Sequence, residues 1–172
     1  TDPEKKHKGI VSLIVHSNLE GVSHGEPIDK MGQRASNTTA VTFKNVKVPK
    51  ENLLGEEGEG FKKAMAALDI TRPMIGIGAV GIARTAMELA TQYAKKRIQF
   101  GVPIAQHQSV QFMLADMVKD IEAARLLIWK AAWLADQGIR NSKEAAMAKA
   151  FAADMAMRVA TDAVQIYGGM GY

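Results

Sequence analysis

The chain has 172 residues, 47% of them apolar and 23% charged, with a formal net charge of +4. That length suits one domain or a little more, and the apolar share is enough for a packed core, so a disordered chain is excluded. Basic residues are scattered among acidic ones, aromatics make up only 6%, and there is no cysteine, which argues against a nucleic-acid-binding stripe and excludes disulfides and thiolate metal sites.

No uninterrupted apolar run approaches the ~20 residues of a membrane span. The segment Thr1-Asp2-Pro3-Glu4-Lys5-Lys6 has no apolar stretch like a signal peptide. The texture changes near residue 58. Before it, short β-rich runs alternate with turn residues: Gly9 to Val15 reads as one strand and Thr38 to Phe43 as another, and Val46-Lys47-Val48 extends that pairing until Pro49 ends it. Gly21, Gly25, Pro27 and Gly32 punctuate the turns between them. So few strands leave sheet edges uncovered, and the segment reads as the tail of a β domain whose earlier strands are missing.

From Gly60 onward the pattern is helical. Thr71-Arg72-Pro73 interrupts the first stretch, because proline lacks an amide proton and disfavours a helical residue before it. A break or kink is expected there, then a helix from Pro73 to Lys96. Gly76, Gly78 and Gly81 recur within that helix, at roughly 1 kcal/mol each against alanine, which suggests close approach by another backbone or a ligand. From Gln106 to Asp136, Val110, Met113, Leu114, Met117, Ile121, Ala124, Ile128, Ala131 and Ala135 recur every three or four residues, as in an amphipathic helix. Gly138 reads as its stop, and Asn141 or Ser142 as the N-cap of a last helix, Ser142 to Tyr167, ended by Gly168-Gly169. Long helices joined by short loops predict an up-down bundle. Its apolar faces, including Met113, Met117, Phe151 and Met155, are expected to stay partly open.

Each polar motif has a plain reading beside a sharper one. Lys96-Arg97-Ile98-Gln99-Phe100-Gly101 is a helix end, where cations favour the dipole and Gly101 suits a C-cap. Alternatively Arg97 and Gln99 meet a phosphate, whose oxygens match the guanidinium fork. His107-Gln108 opens the next helix as a surface or capping pair. The four histidines, His7, His16, His24 and His107, have no metal-ligand spacing. Gly168-Gly169 is a helix C-cap, or backbone exposed to a cofactor. Arg72 is a surface arginine, or a cation placed where negative charge develops. The carboxylates of Gly55-Glu56-Glu57-Gly58-Glu59-Gly60 exclude a phosphate-cradling loop.

The order of these segments is more specific than any one of them. Met31-Gly32-Gln33-Arg34-Ala35-Ser36, Val46 to Gly55, Thr71-Arg72-Pro73, Arg97-Ile98-Gln99-Phe100-Gly101, His107-Gln108, Met147-Ala148-Lys149-Ala150-Phe151-Ala152 and Gln165 to Tyr172 follow one another as in acyl-CoA dehydrogenases. The chain resembles that family over essentially its whole length, most closely the short- and medium-chain branch.

The resemblance implies an α+β chain that is mainly α: residues 1–57 as the end of a middle β domain and residues 58–172 as an incomplete C-terminal helical bundle. It implies FAD as cofactor, an acyl-CoA substrate oxidised to the α,β-enoyl-CoA, and an electron-transfer flavoprotein as electron acceptor. Asp69, Thr71 and Arg72 would lie at the acyl-CoA site and Arg140 near the nucleotide end of CoA. Arg97, Gln99, Phe100, His107, Gln108, Gln165, Gly168 and Gly169 would hold FAD, reaching the ADP part of the cofactor bound by a neighbouring subunit of a homodimer or homotetramer. The family's base is a glutamate downstream of the Gly-Gly-x-Gly-Tyr loop, beyond Tyr172, or in one branch the residue before the Thr-Arg-Pro arginine, which here is Thr71. No catalytic residue is therefore expected within the chain. The same scaffold run in reverse as an enoyl-CoA reductase is an alternative, as is a non-catalytic helical interaction module. The intact Arg97 to Gly101 loop, with Thr71 and Arg72, argues against the latter. The expected compartment is the cytoplasm, with the mitochondrial matrix as the alternative.

Overall fold

A computed structural model describes residues 2–172. The chain divides into two compact units, Thr1–Met65 and Ala66–Tyr172.

In the first unit Pro3–Gly9 forms two 3-10 turns separated by a kink at Lys6 (φ +51), opened by Pro3 and capped by the Asp2 carboxylate, which accepts from the Glu4 amide at 3.2 Å. The expected strand from Gly9 to Val15 is therefore shortened. Gly9 belongs to the helical turn, and only the stretch around Leu13 pairs, with Leu53 opposite. The Ile14 amide donates to Asn52 O at 2.9 Å, and the Leu54 amide to Ser12 O at 2.9 Å. Asn52 reinforces this pairing, its side-chain amide donating to Ile14 O at 2.8 Å.

The second expected strand is present in part. β1 (Val22–His24) pairs antiparallel with β2 (Val41–Phe43), with Val22 opposite Phe43 and His24 opposite Val41. Hydrogen bonds from Gly25 to Ala40 O and from Ile28 to Thr38 O carry the pairing outward. Val46-Lys47-Val48 does not extend it, because Asn45 turns the chain at φ +53. All of β2 is exposed, Phe43 included.

The second unit is a helical bundle. α1 (Gly60–Lys96) begins in the first unit, and its later part belongs to the second. α2 spans Gln108–Asp136 and α3 Ser142–Tyr167. The expected break at Thr71-Arg72-Pro73 does not occur: Pro73 lies inside α1. Proline withholds one helical hydrogen bond, at a cost of ~3 kcal/mol. Here Pro73 is buried, and the helix on its C-terminal side carries Gly76, Val80 and Ala83 into the bundle core. Burial of the proline and of the turns that follow it holds the helical path that local propensity opposes.

The core is built from small residues at close helix crossings. Ala83, Ala90, Ala94, Ala124, Ala131, Ala148 and Ala152 are fully buried, with Ile121, Ile128 and Val159 between them. The expectation that Met117 and Met155 stay partly open is corrected, since they are 1% and 0% exposed. Both lie on the inner seam of α2 and α3, where two facing helices suffice to enclose an unbranched side chain. Met113 and Phe151 are half-buried and pack against the core. Of Gly76, Gly78 and Gly81, only Gly76 shows the expected close approach: a Cβ there would lie 3.3 Å from Ile128 Cδ1 and 3.7 Å from the Ala148 carbonyl oxygen. At Gly78 and Gly81 it would meet nothing within 4 Å.

The reading of no membrane span rested on uninterrupted apolar runs, which Asp69 and Arg72 break. Averaged over 18 residues, α1 reaches a mean hydropathy of 1.3, and by length and composition alone it is long and apolar enough to cross a membrane. α1 buries Val80, Ala83, Ala90 and Ala94 against protein, while only 17% of that apolar window is buried.

Candidate functional site

The end of α1 leads into a hairpin that the sequence reading did not contain. β3 (Ile98–Gln99) pairs antiparallel with β4 (Val102–Pro103). Phe100 and Gly101 make the turn, both with positive φ, +55 and +83. Two successive left-handed residues give the tight turn that matches strand twist. Gly101 is thus a hairpin turn residue and not the C-cap of α1, which ends at Lys96. An aromatic residue held at positive φ is uncommon. Phe100 is also 94% exposed, and its ring stands edge-on to His107 at 5.9 Å.

His107 occupies the N-cap position of α2 without a side-chain capping bond, after a 3-10 turn at Ile104–Gln106, so α2 starts two residues later than expected. Its Nε2 is buried and has no hydrogen-bond partner among the described residues. An orphaned buried nitrogen is a group that a ligand is suited to satisfy.

The hairpin and the end of α3 face one open cavity of about 490 Å³, lined by Tyr93, Arg97, Gln99, Gly168, Gly169 and Met170 among others. Four of the eight residues expected to hold FAD, namely Arg97, Gln99, Gly168 and Gly169, are thus brought to one place. Phe100, His107, Gln108 and Gln165 are not in its lining; Gln108 is the first residue of α2, and Gln165 is exposed on α3. Among the described residues no carboxylate pairs with Arg97, which is itself exposed. Cβ atoms built at Gly168 and Gly169 would meet nothing within 4 Å, so the backbone there is open to approach. An unpaired guanidinium beside exposed glycine backbone fits an anionic group such as the phosphates of a nucleotide cofactor.

The sequence reading did not single out Tyr93, which stacks on Tyr167 with ring centroids 4.4 Å apart. The Tyr167 hydroxyl donates to Leu89 O at 3.3 Å. Its only sequence signal is its place one helical turn before Arg97.

A second cluster lies toward the other end of the bundle. Asp69 and Arg72, three residues apart on α1, form an ion pair at 3.2 Å. Ser142, the first residue of α3, donates from its hydroxyl to Asp69 Oδ2. Arg140 Nε in turn donates to Ser142 Oγ at 3.3 Å. Asp69 and Arg72, predicted from one segment, and Arg140, predicted from another, therefore form one chain of contacts, and Ser142 is its unpredicted member. Thr71 is exposed on α1 and makes no side-chain hydrogen bond among the described residues. The loop before α3 is anchored by Asn141, which is 7% exposed and donates from Nδ2 to Ala131 O at 2.9 Å. Asn141 stands at the N-cap position as expected, but its side chain makes no capping bond.

Arg72 lies within α1 and Arg97 directly follows its last residue, 25 positions on, so at 1.5 Å per residue they are separated by roughly 37 Å along the helix axis. The two clusters serve two distinct places on the chain.

The fold is that of a C-terminal helical domain carrying cationic clusters at two helix ends, and the comparisons agree. The family model for the C-terminal domain of acyl-CoA dehydrogenase matches residues 58–172. An acyl-CoA dehydrogenase of Bacillus subtilis (strain 168) is 50% identical over 172 residues, all of this chain and 45% of its own length. Butyryl-CoA dehydrogenase from Megasphaera elsdenii has a solved structure that is 48% identical, with a TM-score of 0.96 over 100% of this chain and 45% of that one. A chain in a structure of the electron transferring flavoprotein of Acidaminococcus fermentans, concerned with flavin-based electron bifurcation, is 49% identical with a TM-score of 0.96, again over 100% and 45%. The chain belongs to the acyl-CoA dehydrogenase family. It spans a little under half the length of these relatives.

Proposed function

We propose that the full-length protein is an FAD-dependent acyl-CoA dehydrogenase that converts an acyl-CoA thioester to the α,β-enoyl-CoA and passes electrons to an electron-transfer flavoprotein. Residues 1–172 supply contacts to both ligands. Bound FAD would accept the β-hydrogen as hydride. Arg97, with Gln99 and the Gly168-Gly169 backbone, holds the cofactor's phosphates, and Phe100 and His107 flank it. Asp69, Arg72 and Arg140 hold the acyl-CoA. The base that removes the α-proton is not assigned to this cluster: Asp69 is engaged by Arg72 and Ser142, and Thr71 has no titratable group.

The observation that carries this reading is the convergence of Arg97, Gln99, Gly168 and Gly169 on one cavity, remote from Arg72 along α1. A cofactor at Arg97 is then served by a different subunit from the one whose Arg72 meets the thioester, which supports a homodimer or homotetramer with FAD shared between chains. Exposed apolar side chains on the bundle, Ile82 on α1 and Trp129 and Trp133 on α2 among them, support association. Resemblance to a chain in an electron transferring flavoprotein structure supports the electron acceptor.

The test uses the full-length protein. Saturated acyl-CoA should bleach its flavin absorbance, and the reduced protein should reduce an electron-transfer flavoprotein. Arg97→Ala should weaken FAD binding by about 2 kcal/mol, or roughly 30-fold, the value of a charge-assisted hydrogen bond. Arg84→Ala removes another exposed arginine, paired with Glu88 at 2.7 Å, and should leave FAD affinity unchanged. Unaltered FAD affinity in the Arg97 variant would refute the cofactor assignment, and absence of bleaching by any saturated acyl-CoA would refute the activity.

A further inference from the structure

Ser142 belongs to none of the motifs that carry the family resemblance, yet it joins them in space. It is the first residue of α3, and its hydroxyl reaches 73 positions back along the chain to Asp69. The same oxygen accepts from Arg140 Nε. A hydroxyl has one donor and two acceptor positions, so it is suited to stand between a carboxylate and a guanidinium, giving its proton to the first and a lone pair to the second. Asp69 is further held by Arg72 through its other oxygen, Oδ1. The cluster thus runs Arg72, Asp69, Ser142, Arg140, with one carboxylate and two cations, and retains a net positive charge.

The backbone around this relay is fixed. Asn141 is buried and tied to the Ala131 carbonyl oxygen, which holds the loop between Arg140 and Ser142 against the end of α2. Arg140 itself is exposed. With Nε engaged by Ser142, its two terminal nitrogens have no hydrogen-bond partner among the described residues. A guanidinium held by Nε and open at both Nη groups presents a fork matched to phosphate oxygens. Without the Ser142 hydroxyl, Arg140 is an exposed, flexible side chain that must lose its rotamer freedom on each binding event.

We propose that Ser142 is a positioning residue of the acyl-CoA site: its hydroxyl fastens Arg140 to the Asp69–Arg72 pair and so sets the guanidinium that meets the phosphates at the nucleotide end of the coenzyme. This rests on the reading of Asp69, Arg72 and Arg140 as acyl-CoA contacts. Ser142 touches no reacting atom, so its contribution falls on substrate binding rather than on the chemical step. It also discriminates between thioesters that carry the phosphorylated nucleotide and those that lack it.

The experiment compares Ser142→Thr and Ser142→Val in the full-length protein with FAD bound. The two residues are nearly isosteric, and only threonine keeps the hydroxyl. Each variant is assayed with an acyl-CoA and with the acyl-pantetheine thioester of the same acyl chain. The valine variant should raise KM for acyl-CoA about fivefold, the scale of one ordinary net hydrogen bond, with kcat less affected. Its KM for acyl-pantetheine should rise by less than about twofold, since that substrate has no nucleotide for Arg140 to hold. Threonine should restore the KM for acyl-CoA. Arg140→Ala should add less in the valine background than alone, because the two share one interaction. An unchanged KM in the valine variant, an equal rise for both thioesters, or failure of threonine to rescue would each overturn the proposal. A wild-type protein that turns over neither thioester would overturn the functional reading itself, and this inference with it.

Discussion

Two glycines on the same helix, two residues apart, should respond oppositely to the same added methyl group. Gly76 and Gly78 both lie in α1, so replacing either by alanine removes a similar conformational handicap, worth about 1 kcal/mol in a helix. At Gly78 the new Cβ meets nothing within 4 Å, and the full gain should appear as stabilisation. At Gly76 it would lie 3.3 Å from Ile128 Cδ1 and 3.4 Å from Cγ1. Ile128 is 4% exposed and surrounded by core, so it cannot move aside without disturbing its neighbours. Overpacking of this kind costs about 1–3 kcal/mol, which exceeds the propensity gain. Gly76→Ala should be destabilised by about 1 kcal/mol and Gly78→Ala stabilised by a similar amount, a gap of about 2 kcal/mol. Thermal unfolding of the full-length variants at matched FAD and protein concentration measures that gap, since both ligand and association raise the apparent midpoint. If Gly78→Ala loses as much as Gly76→Ala, Gly78 is packed against something, and the assignment of an open helix face is wrong.

Two further substitutions test the core and the loop that carries Arg140. Met155→Ala removes a side chain that is 0% exposed and should cost about 3 kcal/mol by leaving a cavity between α2 and α3; a loss below about 1 kcal/mol by denaturant unfolding would show that the helices close the gap. Asn141→Ala deletes the hydrogen bond to the Ala131 carbonyl oxygen and should cost about 1 kcal/mol. It should also raise KM for acyl-CoA by freeing the loop before Ser142. An unchanged KM would show that α3 holds Ser142 and Arg140 without that anchor.

The helices were legible because their signals are local. The three- and four-residue spacing of Met117, Ile121, Ala124, Ile128 and Ala131 names the face of α2 that is buried, and Gly138 at φ +68 marks its end as the residue type most tolerant of that conformation. The bounds of α3 follow from the same arithmetic. Arg97, Gln99, Gly168 and Gly169, grouped by the family motifs, line one cavity.

Where the linear reading failed, a distant packing partner or a two-strand register made the decision. Pro73 should break a helix by its own chemistry, but burial of the turns that follow keeps α1 continuous. Phe100-Gly101 carries no strong hairpin signal, because an aromatic residue in the first turn position is disfavoured locally and is tolerated only once β3 and β4 have paired. Met117 and Met155, on apolar faces expected to stay partly open in an incomplete bundle, are enclosed because α2 and α3 pack on each other. The pattern of residue types therefore determined which segments are helices, which faces are apolar and which family the chain resembles. Tertiary structure alone decided that Asp69 and Arg140, 71 positions apart in sequence, are joined through Ser142, because a hydroxyl's partners depend on which backbone segments are brought within about 3 Å of it, and no local periodicity encodes that.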